Sequence, residues 1–217
     1  MVHYISNEVL LLEQLDTIIN TDVKLKLSEE AVLNIEKCHT FFTEKVKDSS
    51  LTEATEQHYT QLRHYACGIG ERLPCKLVRI MLFLKVQSFS YGFSGVRLAL
   101  VQRLIDFFNN GVYPVVYSKD IPDERIALGH LSLPLIGEGE VCIQNKIYSA
   151  QELASKYGWE PLPLSQREVD ALLNGTQLTT AYSAHNLIES LKLIEWADFV
   201  ASVSTQVFGG NLSAFSE

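Results

Sequence analysis

A chain of 217 residues that is 47% hydrophobic and 20% charged can bury one good core with at most a small appendage, and is too apolar to be disordered. Its net charge of −8, pI near 5.3 and scattered Lys and Arg leave no footprint for a phosphate backbone, which excludes nucleic acid as a partner. No run approaches about eighteen apolar residues without a charge, so no membrane-spanning helix is expected, and the opening residues carry Glu8 and no basic cluster, unlike a signal peptide.

The expected location is therefore cytoplasmic. Cys38, Cys67, Cys75 and Cys142 form no C-x-x-C pair and read as buried thiols of a reducing compartment. The histidines lack the i,i+4 spacing of a helical metal site, so no metal is expected either.

In chain order the pattern is overwhelmingly helical. Ser28 ahead of Glu29 and Glu30 is an N-cap followed by acids that oppose the helix dipole, and Val32, Ile35 and Cys38 continue an apolar stripe toward Phe41 and Phe42. A polar stretch from Lys45 to Gln57 predicts a loop or an exposed helix start. Tyr59, Leu62 and Ala66 resume a helical face that should stop near Gly68-Ile69-Gly70. Leu77 to Phe89 is apolar nearly all round and predicts a central bundle helix with no stray polar residue in its core. After the turn Tyr91 to Gly95, a helix is expected over Val96 to Asn109. Tyr113 to Arg125, with two prolines, reads as irregular, and Leu128 to Leu135 as another apolar segment.

Val141 to Tyr148 alternates and predicts a short hairpin turning at Gln144-Asn145-Lys146. Ser149 with Glu152 and Ser165 with Glu168 are capping boxes flanking an extended Trp159-Glu-Pro-Leu-Pro163 connector. A long helix covers Gln177 to Val207 and ends at Gly209-Gly210.

Several blocks together resemble the aromatic amino-acid ammonia-lyase family, the histidine and phenylalanine ammonia-lyases. They are His64-Tyr-Ala-Cys-Gly-Ile-Gly-Glu71, Gly92-Phe-Ser-Gly-Val-Arg97, His130 through Gly137-Glu-Gly-Glu140, and Leu172-Leu-Asn-Gly-Thr-Gln177 followed by Thr180-Ala181. Their order and spacing carry the resemblance over residues 60 to 215, with a looser fit over 9 to 46. It implies a mainly α fold with a short β-hairpin, the N-terminal helical portion of the fumarase/aspartase-like fold, as one truncated domain over residues 1–217. In full-length members it implies elimination of ammonia from an aromatic α-amino acid, driven by a methylidene-imidazolone electrophile built from an Ala-Ser-Gly triplet.

The departures point away from that chemistry. Between Tyr113-Pro114 and His130, where the resemblance places the Ala-Ser-Gly loop, stands Val116-Tyr-Ser-Lys-Asp-Ile-Pro-Asp-Glu-Arg-Ile-Ala-Leu-Gly129, and no Ala-Ser-Gly occurs anywhere in the chain. Ile121-Pro122-Asp123 cannot cyclise in its place, since proline has no N–H. The expected cofactor is accordingly none. The family's tyrosine loop should lie before Tyr59, yet Glu44 to Glu56 holds neither tyrosine nor glycine, and the chain stops at Glu217. No catalytic residue is assigned.

Three residues remain as vestigial substrate-binding candidates: Tyr65 in the family's substrate-selecting position, Asn174 in place of its substrate-contacting asparagine, and neighbouring Gln177. For Tyr65 the plainer reading is core packing with a satisfied hydroxyl, and for Asn174 a cap at the start of the long helix. Arg97 and Glu138-Gly139-Glu140 read as turn and ion-pair elements, and His130 as a hydrogen-bonded core residue. Neither G-x-S-x-G nor a nucleotide-binding glycine loop is present. The function expected is that of a pseudoenzyme that binds a partner or a small aromatic ligand. The alternative is an aromatic amino-acid ammonia-lyase, either one subunit of a split lyase or a site remodelled around Asp123, Glu124 or His130. An apolar face on helix 177–207 should stand exposed, implying a homo-oligomer or a complex with a full-length lyase or another protein.

Overall fold

The computed structural model describes residues 1–45, 56–119 and 123–210. The chain opens with a parallel pair, β1 (Val2–Ile5) and β2 (Lys24–Leu27), joined through α1 (Leu12–Asn20) in register Val2 to Lys24 and Ile5 to Leu27. Each strand has four residues; β1 shows no alternation, whereas Lys24-Leu-Lys-Leu27 does alternate, with Leu25 buried, a strand signal that the helical reading missed. Asn109 continues the pair: its carboxamide accepts from Leu25 N–H at 2.7 Å and donates to Leu25 C=O at 3.0 Å.

Helix α2 (Glu29–Lys45) begins as its acids predict, with Ser28 Oγ accepting from Ala31 N–H at 3.2 Å. The expected 45–57 loop lies mostly outside the described residues; Glu56 and Gln57 already belong to α3 (Glu56–Tyr65). That helix ends three residues before Gly68, because Ile69–Arg72 is drawn out as β3 against β5 (Tyr117–Lys119). The segment read as irregular therefore holds two short strands, β4 (Val112–Pro114) and β5, before α6 (Glu124–Ser132) and a 3₁₀ turn at Leu133–Ile136.

The hairpin forms as β6 (Glu140–Ile143) and β7 (Lys146–Ser149), and β4 adds along its other edge. Gln144 and Asn145 both take positive φ, 49° and 62°, which is why a two-residue turn closes without glycine. At α7 (Glu152–Tyr157) the box is half made: Ser149 N–H donates to Glu152 Oε1 at 3.1 Å, while Ser149 Oγ accepts from Gln151 N–H. At α8 (Gln166–Leu173) the Ser165–Glu168 box is complete. A single break separates α8 from α9 (Gln177–Val207).

The core is built on α4 (Cys75–Ser90) and α5 (Leu98–Asn109), where Ile80, Met81, Phe83, Phe89, Leu104 and Phe107 are fully enclosed. Each such side chain contributes on the order of 1.5–3 kcal/mol of burial. Helix α4 is not free of polar groups, as its sequence suggested: Lys85 is 1% exposed within it, and Arg79 bonds the carbonyls of Ile18 and Thr21.

Of the cysteines only Cys142 is buried; Cys38 and Cys75 are half-buried and Cys67 is exposed. Helix α9 packs its first half against α4 and α6. Beyond Ile188 none of its residues is buried, and Leu193, Ile194, Trp196, Phe199 and Val200 stand more than half exposed. No helix among the described residues is long and apolar enough to cross a membrane.

Candidate functional site

The ends of α3, α6 and α8 meet around a cavity of about 380 Å³ lined by Gln61 and Tyr65, by Asp123, Glu124 and Arg125, and by Asp170, Leu173, Asn174 and Gly175. The approach of α6 to α3 depends on Gly129, where an added Cβ would lie 2.9 Å from Ala66 N and 3.0 Å from the Tyr65 carbonyl carbon. Glycine here lets the backbones close and brings Arg125 over Tyr65.

Three carboxylates and one guanidinium face this space, and most are already engaged. Asp123 caps α6, accepting from Arg125 N–H at 2.9 Å and from Arg125 Nε at 2.8 Å, and the Arg125 guanidinium holds its carboxyl below the usual range. Arg125 also lies 4.6 Å from the centre of the Tyr65 ring and donates to the Tyr65 hydroxyl at 2.6 Å. Asp170 accepts from Gln166 at 2.8 Å and Gln61 at 3.4 Å.

Glu124 reaches across to the start of α9 and accepts from Leu178 N–H at 3.0 Å, Thr179 N–H at 2.9 Å and the Thr179 hydroxyl. The residue in the N-cap position of α9, Thr176, makes no capping bond of its own, so a side chain from another helix satisfies these donors and opposes the dipole.

Asn174 sits at the C-cap of α8 and does not cap the start of α9, where Thr176 holds the N-cap position. Its backbone carbonyl accepts from Lys85 Nζ at 2.7 Å, beside the Ala171 carbonyl at 2.8 Å, while its own carboxamide bonds no other described residue and is exposed to the cavity. Burial pushes the Lys85 amine down to about 7, and charged or neutral it has hydrogens for both carbonyls.

Thus Tyr65 and Asn174 come together on one cavity, and Gln177 does not line it. Gln177 is buried behind Gly175, where an added Cβ would fall 2.3 Å from its Oε1, and that oxygen has no partner among the described residues. His130 lies elsewhere, edge-on to Tyr117 at 5.2 Å. Its Nε2 has no partner among the described residues, and burial lowers its pKa, partly offset by the Gly68 backbone.

Arg97 and Glu138–Glu140 hold the frame around the site. Arg97 Nη2 meets the buried Glu168 carboxylate at 2.7 Å, Arg63 Nε meets Glu138 at 2.9 Å, and Glu140 accepts from Tyr117 at 3.2 Å. Sequence reasoning missed Lys85, Arg125, Gln61 and Asp170. Lys85 alone left a signal, as a lone amine within a hydrophobic helix.

A family model described as aromatic amino acid lyase matches residues 10–217. The chain is a member of the aromatic amino-acid lyase family. Curated relatives include a histidine ammonia-lyase of Legionella pneumophila (strain Paris), 42% identical over 156 residues, which span 70% of this chain and 31% of that protein. Another is histidine ammonia-lyase 2 of Fusobacterium nucleatum, 38% identical over 155 residues, 70% of this chain and 30% of that one. Among solved structures, the histidine ammonia-lyase of Trypanosoma cruzi superposes with a TM-score of 0.89 at 27% identity, over 98% of this chain and 45% of its own. Ergothionase from Treponema denticola gives 0.89 at 19% identity over 100% of this chain and 48% of its own, a likeness of fold alone. This lyase-family chain therefore spans about a third of the length of these curated relatives and just under half of these two solved structures. Its mainly helical architecture is that of the fumarase-like ammonia-lyases.

Proposed function

We propose that this lyase-family chain acts by binding and forms no electrophile of its own. The observation that carries this reading is the absence of Ala-Ser-Gly from all 217 residues, coupled with what stands where the resemblance places that triplet. Asp123 is the extended N-cap of α6 with its carboxylate tied to Arg125, and Ile121 and Pro122 beside it lie outside the described residues. A methylidene-imidazolone needs a small triplet whose last amide nitrogen attacks the first carbonyl. An ionic helix cap preceded by proline does not fit that group.

The ligand we assign to the Tyr65–Asn174 cavity is a small aromatic molecule bearing an amine, in a reducing, cytoplasmic setting. Three carboxylates against one guanidinium make the lining net acidic, the Asn174 carboxamide is open to hydrogen bonding, and Tyr65 offers an aromatic surface. A thermal-shift titration with histidine, tyrosine and phenylalanine tests this, and stabilisation is expected to be lost in Asn174→Ala. No shift with any of them would reject the assignment.

The exposed apolar length of α9 supports self-association as the second part of the role. Light scattering is expected to give a dimer or larger, and Trp196→Asp with Phe199→Asp a monomer; a parent chain that is itself monomeric at micromolar concentration would end this reading.

A second reading is favoured by the family match itself. In it the chain contributes to ammonia elimination from an aromatic amino acid as one part of a larger lyase assembly. It requires a partner that carries the electrophile, and an α,β-unsaturated acid formed only by the mixture would select it.

A further inference from the structure

Two of the thiols, 67 residues apart in the sequence and part of no C-x-x-C pair, meet in the fold. Cys75 is the first residue of α4, directly after Pro74, and its Sγ donates to the Sγ of Cys142 at 3.2 Å. Cys142 sits on β6, the middle strand of its sheet, opposite Tyr113 on one side and Ile147 on the other. Both backbones are held by other elements, α4 by α5 and α9 and β6 by two ladders, so the sulfurs are held face to face by the fold. Bond formation needs each sulfur to swing by well under an ångström, since a disulfide spans about 2.05 Å. Among the described residues no cluster of three or more His, Cys, Asp or Glu could hold a metal ion.

We infer that Cys75 and Cys142 form a reversible dithiol–disulfide site that small-molecule disulfides oxidise. The Cys75 thiol, half-buried and so the accessible member of the pair, gives its proton to solvent and its thiolate attacks one sulfur of the reagent. The reagent's S–S bond breaks, and one small thiolate leaves and takes up a proton. Cys142, deprotonated in turn, attacks the Cys75 sulfur of the mixed disulfide and expels the second small thiol. One protein disulfide and two small thiols result, and a small thiol in excess reverses the sequence.

Burial pushes the Cys75 thiol up to about 11, which makes this a slow site at neutral pH, set by exposure to oxidant over minutes to hours. The bond would pin the start of α4 to the β4–β6–β7 sheet and close a long loop in the unfolded chain.

The test uses the whole chain, incubated with oxidised glutathione, quenched with N-ethylmaleimide and digested. A Cys75–Cys142 linked peptide is expected, with Cys67, which is exposed and has no sulfur partner among the described residues, carrying glutathione as the internal check that the oxidant acted. The oxidised protein should melt on the order of 10 °C above the reduced one, a difference abolished by dithiothreitol. In Cys142→Ala the link and the difference in melting should both vanish, leaving Cys75 as a glutathione adduct. Modification of Cys67 with Cys75 and Cys142 both alkylated or only singly adducted in the parent chain would overturn the inference.

Discussion

Replacing Lys85 by Met should remove a pH dependence of stability between pH 7 and pH 9. The Lys85 amine is 1% exposed, and burial lowers its pKa from 10.5 to about 7. A folded-state value below the unfolded one means that the unfolded chain binds more protons across this window, so this group's contribution to stability rises with pH. The difference is about half a proton at pH 7 and nearly one at pH 9, which integrates to a gain of about 2 kcal/mol. The same arithmetic puts the cost of holding the amine in the fold at pH 7 at about 4 kcal/mol. Against it stand the bonds to the carbonyls of Ala171 and Asn174, at roughly 1–3 kcal/mol each when buried acceptors would otherwise go unmet. The terms nearly cancel, so Lys85→Met, similar in length, is expected near parental stability at pH 7 and about 2 kcal/mol below the parent at pH 9. Urea unfolding of both proteins at pH 7, 8 and 9 measures this, and taking the difference removes every other titrating group. Parallel curves would refute the reasoning and show that the amine keeps its ordinary pKa in the fold.

Two further substitutions probe how the site is held. Glu124→Ala should lower stability by about 1–2 kcal/mol by uncapping α9, with Glu124→Gln recovering part of it, as read from urea midpoints; equal losses in the two variants would show that the carboxylate oxygens do not act as the cap. Arg97→Met strands the Glu168 carboxylate, itself 1% exposed, and should cost about 3–5 kcal/mol in urea unfolding; a loss under about 1 kcal/mol, the size of an exposed pair, would contradict the buried ion-pair account.

Much of the fold was legible in the sequence because helices announce themselves over many turns. Ser28 and Ser165 cap as their spacing says, the hairpin turns at Gln144-Asn145, and α9 runs from Gln177 to Val207. Among the short strands β1, β3 and β5 were not legible, because tertiary pairing and not local pattern makes them, while the alternation of Lys24-Leu-Lys-Leu27 in β2 was missed. At the site, the family blocks pointed to Tyr65 and Asn174, which do share a cavity.

What surrounds them was hidden because it depends on helix ends meeting in space. Arg125 reaches Tyr65 across 60 residues and Glu124 reaches Leu178 across 54, distances no local window spans. The same holds for Lys85, whose partners lie 86 and 89 residues away, and for the meeting of Cys75 with Cys142.

The central claim is that this member of the lyase family carries no electrophile, and ultraviolet absorbance tests it most directly. The purified chain, incubated alone with histidine, tyrosine or phenylalanine, is expected to leave the spectrum unchanged. Growth of the absorbance of an α,β-unsaturated acid, proportional to the amount of this chain and present after every other protein has been removed, would contradict it.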